Sequence, residues 1–386
     1  MTLPKGPPSG LRFVPVIRLS SFVENPFNPT AVQSLQKRVS EVATDEVQFD
    51  MDCPARLLGE YAHALKLIHG QVKRLSSTAL VSWIHSPFFE QFESSVDELV
   101  PMFYDTEIDP PVDAKSMPLP LVESPKLKAQ LAAWSACAIP WKAGLPNFSR
   151  ITEYSRKDGL SRGHVRDWSW DQICFNPKLV PVTNTQNGTT LLRATDRTLI
   201  GNSPVQAGDL VGLRWPDRDA LASAVQEVER TKAVGIVYFR LPDSSAPSGW
   251  SLKQLQRFSS HPSLSLTSSG QTFVFKNCGD SDLEPRFSGA NKQNGYVLEV
   301  AAPEPIFREA MEGDFQSVTS DSRSISEEPV SFFGLAKCLR FQFSCLRAGE
   351  SLSTGVIQLT PDAKFTQIQY RILTPREDSA WKRLDN

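Results

Sequence analysis

The chain has 386 residues, longer than most single hydrophobic cores grow, so two domains are the default expectation. Its 41 basic and 43 acidic residues nearly cancel to a net charge of −2, and no dense Lys/Arg stripe is present, which argues against nucleic acid as a partner. Six scattered cysteines without CxxC spacing argue against a zinc site or a disulfide-dense scaffold, and no apolar run is long enough to cross a bilayer.

The opening MTLPKGPPSGLRFVPVIRLSSF lacks the charged end, apolar run and small-residue cleavage site of a secretion signal. A cytoplasmic location is expected for the chain as written, and the envelope or periplasm for a longer form. From Phe13 to about Phe148, short β-like runs alternate with helical ones, the pattern of parallel strands joined by crossover helices. FVPVIRLSSF precedes the helical PTAVQSLQKRVSEV, and VQFDMD precedes PARLLGEYAHALKLIHGQV, in which Leu57, Leu58, Tyr61, Leu65 and Ile68 keep helical spacing. LSSTALVSWIH is then read as a strand before FFEQFESSV. ELVPMFYD leads through a Pro-rich loop to the helix KLKAQLAAWSACA, and IPWKAGLPNF follows as a fifth strand.

From about Ile151 to Asp209 the rhythm breaks at RKDG and QNGTT turns, which reads as an insertion of hairpins. The alternation resumes with the helix DRDALASAVQEVERTKA, started near Asp217 or Asp219, and the short β-rich run GIVYFRLP, a sixth strand. After the helical SLKQLQRF, strands broken by Gly, Asn, Asp and Ser turns follow from about His261, without long helices between them. FQSVTSDSRSISEEPVS is polar and reads as a long loop.

The expected fold is therefore α/β: a TIM-type (β/α) barrel over residues 11–258 with a hairpin insertion at about 151–209, followed by an all-β sandwich over 261–386. Six strand candidates fall short of eight, and no room for two more βα units exists before Phe13. The barrel is expected to lack its first strands, to be incomplete or to close differently.

In VQFDMD, alternation puts Val47, Phe49 and Met51 on one face and Gln48, Asp50 and Asp52 on the other. In a parallel barrel the active site forms at the carboxyl ends of the strands. Asp50, Asp52, Tyr104, Asp105, His85 and Arg240 end strand candidates, and Lys142 and Asn147 follow IPW. Carboxylates on such a rim divide into acid and stabiliser when repulsion and uneven burial separate their pKa values, a design most common in glycoside hydrolysis. Plainer readings stand beside these: Asp52 caps the helix near Pro54, and Asp50 pairs with Arg18. Asp167–Asp171, DWSWD, together with Trp83, Trp141, Tyr154 and Trp215, offers flat apolar faces for sugar rings. Most tryptophans are core residues, and Trp168 and Trp170 equally suit the packing of a hairpin. His63, His69 and His164 lack metal-site spacing, and no GxSxG, P-loop or GxGxxG motif is present, so no metal or cofactor is expected.

Two motifs resemble the chitinase-like glycosidases, whose barrels carry DxxDxDxE at one strand end and MxYD two strands later. Asp45, Gln48, Asp50 and Asp52 stand in the first spacing, and Met102, Tyr104 and Asp105 match the second. Gln48 replaces an acid, and Asp52 stands where the family has its proton-donating Glu, one methylene shorter. The strand runs VPVIRLSSF, VQFDMDCPARLLGEY, STALVSWIH, VDELVPMFYD, IPWKAGLPNF and GIVYFRLP more closely resemble the bacterial domain-of-unknown-function family 3142, which implies a glycosidase-like barrel over residues 11–258 and no established reaction.

The expected function is engagement of a carbohydrate at the strand ends. Asp52 or Asp105 would act as proton donor, Asp50 as its electrostatic partner and Tyr104 as hydrogen-bond donor; Arg18, Gln48, Trp83, His85, Met102, Trp141, Asn147, Trp168, Trp170 and Arg240 would contact substrate. The rival expectation is a non-catalytic carbohydrate-binding or envelope scaffold protein. Oligomeric state is not legible.

Overall fold

The computed structural model describes residues 12–19, 27–42, 45–113, 115–122, 124–182, 185–241, 249–287, 294–321, 330–363, 367–374 and 378–384. They form two compact units. The first takes residues up to Ile108 together with Leu121–Pro146 and Ala220–Phe239; the second takes Asp109–Pro120, Asn147–Asp219 and everything from Arg240 onward.

In the first unit, β1 (Val16–Arg18), α1 (Pro29–Val42), β2 (Glu46–Asp50), α2 (Leu58–His69), β3 (Arg74–Leu80), α3 (Phe89–Glu93), β4 (Glu98–Met102), α4 (Ser124–Trp134) and β5 (Lys142–Pro146) alternate as the sequence implies. The chain then enters the second unit through β6 (Arg150–Tyr154), β7 (Ser161–Val165), α5 (Trp170–Cys174), β8 (Leu179–Pro181), β9 (Thr189–Ala194), β10 (Thr198–Ile200), β11 (Ser203–Val205) and β12 (Leu210–Arg214), and returns by α6 (Arg218–Glu229) and β13 (Gly235–Phe239). The result is a parallel six-stranded sheet in the order β1-β2-β3-β4-β5-β13. Among the described residues β1 and β13 do not pair with each other, so a closed eight-stranded barrel is not what this sheet shows.

Strand alternation sorts the sheet's two faces. Val47, Phe49 and Met51 are 0–1% exposed, as the oily side of VQFDMD requires, and the helix positions Leu58, Tyr61, Leu65 and Ile68 are buried with them. Tyr61 stacks with Phe92 and meets Trp83 edge-on, while its hydroxyl shares a 3.0 Å hydrogen bond with Ser77. VSWIH differs from its reading as strand: β3 ends at Leu80, and Val81–His85 is a 3-10 turn that folds Trp83 into the core. Gly144 on β5 sits so close to β4 that a Cβ there would lie 2.9 Å from the Pro101 carbonyl oxygen.

The opposite face carries an ion ladder near the amino ends of the strands. Arg12 pairs with Glu46, Arg74 reaches Glu46 at 3.5 Å and Glu98 at 2.5 Å, and Lys142 reaches Glu98 at 2.7 Å. Lys142, read as a strand-end residue, therefore starts β5 and belongs to this ladder.

The second unit holds a five-stranded antiparallel sheet in the order β7-β6-β12-β9-β8 and the hairpin β10-β11. The sheet runs on through Arg214, so the hairpin region extends beyond Asp209. One face packs Ile151, Val165, Leu192, Val211 and Leu213 against Trp168, Trp170, Ile173 and Trp215. Beyond α7 (Leu252–Gln256), the strands β14 (Leu264–Ser269), β15 (Thr272–Asn277), β16 (Tyr296–Ala301), β17 (Phe307–Ala310), β18 (Ser317–Ser320), β19 (Val330–Ala336), β20 (Cys338–Phe343), β21 (Ser351–Ser353), β22 (Ile357–Leu359), β23 (Gln369–Leu373) and β24 (Lys382–Arg383) form three all-antiparallel sheets. Phe273, Phe275, Leu298, Phe307, Leu339, Phe341 and Ile357 share one core among them. The polar stretch read as a long loop contains β18, and its residues 322–329 lie outside the described residues.

Candidate functional site

The residues that carried the sequence argument lie at or just past the carboxyl ends of β2, β3 and β4 in the first unit. Arg18 stands opposite Asp50 in the β1–β2 register, with its Nε 3.7 Å from Asp50 Oδ2. The Thr78 hydroxyl of β3 donates to Asp50 Oδ1 at 2.9 Å, and the Leu19 amide donates to the Asp50 carbonyl. The Arg18–Asp50 pairing weighed from the sequence is thus present. Gln48, half-buried, lies one step below Asp50 on the same face.

Asp52 is exposed. The N-cap positions of the 3-10 turn Ala55–Leu57 and of α2 are held by Pro54 and Leu57, neither of which caps with its side chain. Met102 ends β4, opposite Leu80 of β3 and Gly144 of β5. Half-buried Tyr104 lays its ring parallel to Phe239 of β13, with centroids 6.2 Å apart and an interplanar angle of 9°. Asp105 adopts φ 51°, a left-handed conformation that is sparse for residues with a Cβ and tolerated best by Asn and Asp, and its amide donates to the Leu121 carbonyl at 3.0 Å. His85 is exposed at the end of the 3-10 turn after β3.

The remaining expected contacts lie elsewhere. Trp83 and Trp141 are at most 1% exposed within the first unit's core, so neither offers a ring face. Asn147, Trp168, Trp170 and Arg240 belong to the second unit. Asn147 is a buried clamp: its Nδ2 donates to the carbonyls of Arg240 and Trp250, and its Oδ1 accepts from the Trp250 amide. A Cβ on Gly249, at φ 68°, would collide with it. Arg240 has an exposed side chain. Trp168 and Trp170 meet edge-on and pack beneath the antiparallel sheet, which is the hairpin-packing alternative.

Sequence reasoning named Trp170 and Trp215 but missed the group that they form in the second unit with Trp250 and Glu284. Trp170, Trp215 and Trp250 line a cleft that also holds Glu284, Arg347 and Cys345. Burial pushes the Glu284 carboxyl above its ordinary range, helped by Asp217, while Arg286, Arg218 and a hydrogen bond with Trp215 pull it back. Nothing in LEPRF signals this, because the indoles come from positions up to 114 residues away in the chain, from Trp170 to Glu284. The interior of the cleft that can take the centre of a water-sized sphere is only about 30 Å³, too little for a sugar ring without movement. Among the described residues no cluster of three or more His, Cys, Asp or Glu is arranged to hold a metal ion, and no helix is long and apolar enough to cross a membrane.

No family model matches the chain, and no curated protein matches it, so the resemblance to a domain-of-unknown-function family gains no support from either. Among solved structures, the chain is loosely similar to the spore cortex-lytic enzyme SleL of Bacillus cereus, at 13% identity and a TM-score of 0.41 over 59% of this chain and 56% of that one. It is also similar to chitinase ChiA74 from Bacillus thuringiensis, at 10% identity and a TM-score of 0.38 over 90% and 79% of the two chains. A third is a glycoside hydrolase family 18 N-acetylglucosaminidase from Paenibacillus barengoltzii, at 14% identity and 0.32 over 57% and 74%. The match thus spans little more than half the length of SleL, and at these scores no activity is transferred from any of the three.

Proposed function

We propose that this is a glycoside-hydrolase-like protein whose parallel sheet is part of a TIM-type barrel over residues 11–258, followed by a β-sandwich, and that it binds a poly- or oligosaccharide at the carboxyl ends of β2–β4. The observation that carries this reading is the set formed by Asp50, Tyr104 and Asp105 at the ends of β2 and β4: a held carboxylate, a half-buried phenol and a second carboxyl on constrained backbone. Hydrolysis needs one carboxyl group as acid and another to stabilise positive charge on the sugar ring. In this reading Asp105 or Asp52 donates the proton, Asp50 stabilises charge, Tyr104 hydrogen-bonds the transition state, and Arg18, Gln48 and Met102 border the sugar.

The exposure of Asp52 favours a second reading, a non-catalytic carbohydrate-binding or envelope scaffold protein. A general acid is usually sheltered from water, and Asp52 is exposed. The two readings part on a panel of chito-, gluco- and galacto-oligosaccharides. A cooperative melt raised by one sugar identifies the bound class. With that sugar as substrate, Asp105→Ala or Asp52→Ala is expected to lower turnover by about 100-fold or more while the melt stays cooperative. Binding without turnover selects the scaffold reading. A cooperative melt that no sugar moves, with no turnover, overturns both.

A further inference from the structure

The tryptophan cleft is used by neither reading, and all of its walls belong to the second unit. What those walls offer a ligand follows from which of their polar groups are already engaged. Trp250 Nε1 donates to the Pro216 carbonyl at 2.9 Å, and the Trp215 indole N–H donates to the Glu284 carboxyl. Both side chains therefore line the cleft as rings whose donors are taken. Asp282 is engaged as well: its oxygens accept from the Ser251 amide, the Ser251 hydroxyl and the Ala348 amide, each at 2.7 Å.

Two acceptors remain. The Ser149 hydroxyl oxygen is buried without a hydrogen-bond partner among the described residues. Glu284 accepts from Trp215 but forms no ion pair among the described residues, although burial works against its charge. An orphaned hydroxyl and a desolvated carboxylate between indole rings suit a ligand that donates hydrogen bonds and carries positive charge. The charges agree in sign. Asp282 and Glu284 stand on the lining against one cation, Arg347, which itself lies 3.5 Å from Glu350. Farther out, Asp217 adds to the negative side, and Arg286 and Arg218 to the positive. Tryptophan is also the ring that attracts a cation most strongly. The interior that excludes a sugar ring has room for about two water-sized atoms, at the ~15 Å³ that each needs.

We propose that this cleft binds the ammonium end of a small alkylamine, its N–H groups donating to Glu284 and Ser149 and its charge set against the indoles of Trp170, Trp215 and Trp250. The alkyl chain leaves through the open side of the cleft. The site does not rest on the carbohydrate reading of the strand ends.

The test is a saturation-transfer NMR titration of the full chain with n-butylammonium chloride, with n-butanol as the neutral counterpart of equal length and sodium chloride to match ionic strength. The expected result is saturable binding of butylammonium and none of butanol, weakened about tenfold in Glu284→Gln and about threefold in Ser149→Ala, with Asp196→Asn, on a surface turn before β10, unchanged. If Glu284→Gln does not melt cooperatively, Arg286→Gln decides instead: removal of that positive charge tightens butylammonium binding about threefold where the Glu284 carboxylate attracts it. The proposal is overturned if butylammonium does not bind saturably, if butanol binds as tightly, or if the deciding variant, melting cooperatively, binds as the wild type does.

Discussion

At the scale of single residues, the surroundings of each charge decide what it can do. Asp50 and Asp52 are two apart in sequence, yet Asp50, engaged by Thr78 and Arg18, is half-buried at the end of β2 while Asp52, just past it, is exposed. His164 shows the same dependence. Although the residue is exposed overall, desolvation of its ring, with Arg150 and Arg214 nearby and Asp109 opposing, pushes its pKa from 6.5 down to about 4. Below pH 6.5 the unfolded chain therefore takes up a proton that the folded chain refuses, and native stability falls as pH drops from about 6.5 towards 4. Above that window the group contributes nothing. Urea unfolding across this range should show a shallower loss in His164→Gln than in the wild type; parallel curves would show that His164 does not sense those arginines.

At the scale of elements, charged rows cross the sheets. On the sandwich sheet, Glu299 of β16 lies between Arg340 of β20 and Arg371 of β23, with contacts of 2.9 Å and 2.5 Å. Burial works against its charged form, but hydrogen bonds from Arg371, Cys338 and Arg340 win and hold the carboxyl below its ordinary value of 4.5. The stability this lends is present above pH 4.5 and lost as pH falls below it. Because both arginines keep contact with water, Glu299→Gln is expected to cost about 2 kcal/mol at pH 7 by chemical unfolding, with the difference closing in acid. An unchanged midpoint at pH 7 would refute this role. The ladder on the parallel sheet makes a companion case. Glu98, at 5% side-chain exposure, serves both Arg74 and Lys142, so Glu98→Gln should cost about 2 kcal/mol, and Glu46→Gln, at 11% exposure with the more exposed Arg12 as one partner, less. Equal effects would count against the ladder as the anchor of β3, β4 and β5.

At the scale of the whole molecule, the alternation of short β-rich runs with helical ones was enough to place all six parallel strands, because periods of two and 3.6 are local properties of the chain. The errors were local too. VSWIH reads as β-rich, yet Trp83 is drawn into the aromatic cluster with Tyr61 and Phe92, and burying that indole outweighs strand propensity. Closure was not legible: β1 and β13 each pair on one side only among the described residues, and Val16 and Phe239 are 55% and 43% exposed there.

By itself, the sequence determined which face of VQFDMD is oily, where the six parallel strands and the helices between them fall, and that Asp50 ends a strand while Tyr104 and Asp105 closely follow another, since each of these follows from spacing along the chain. Only the tertiary structure decided that Asp50 is held by Arg18 and Thr78, that Trp83, Trp141 and Trp168 are packing residues, that Glu284 shares a cleft with three indoles, and that Arg150 faces Arg214. Those outcomes depend on burial and on neighbours far apart in sequence, which alternation and spacing do not encode.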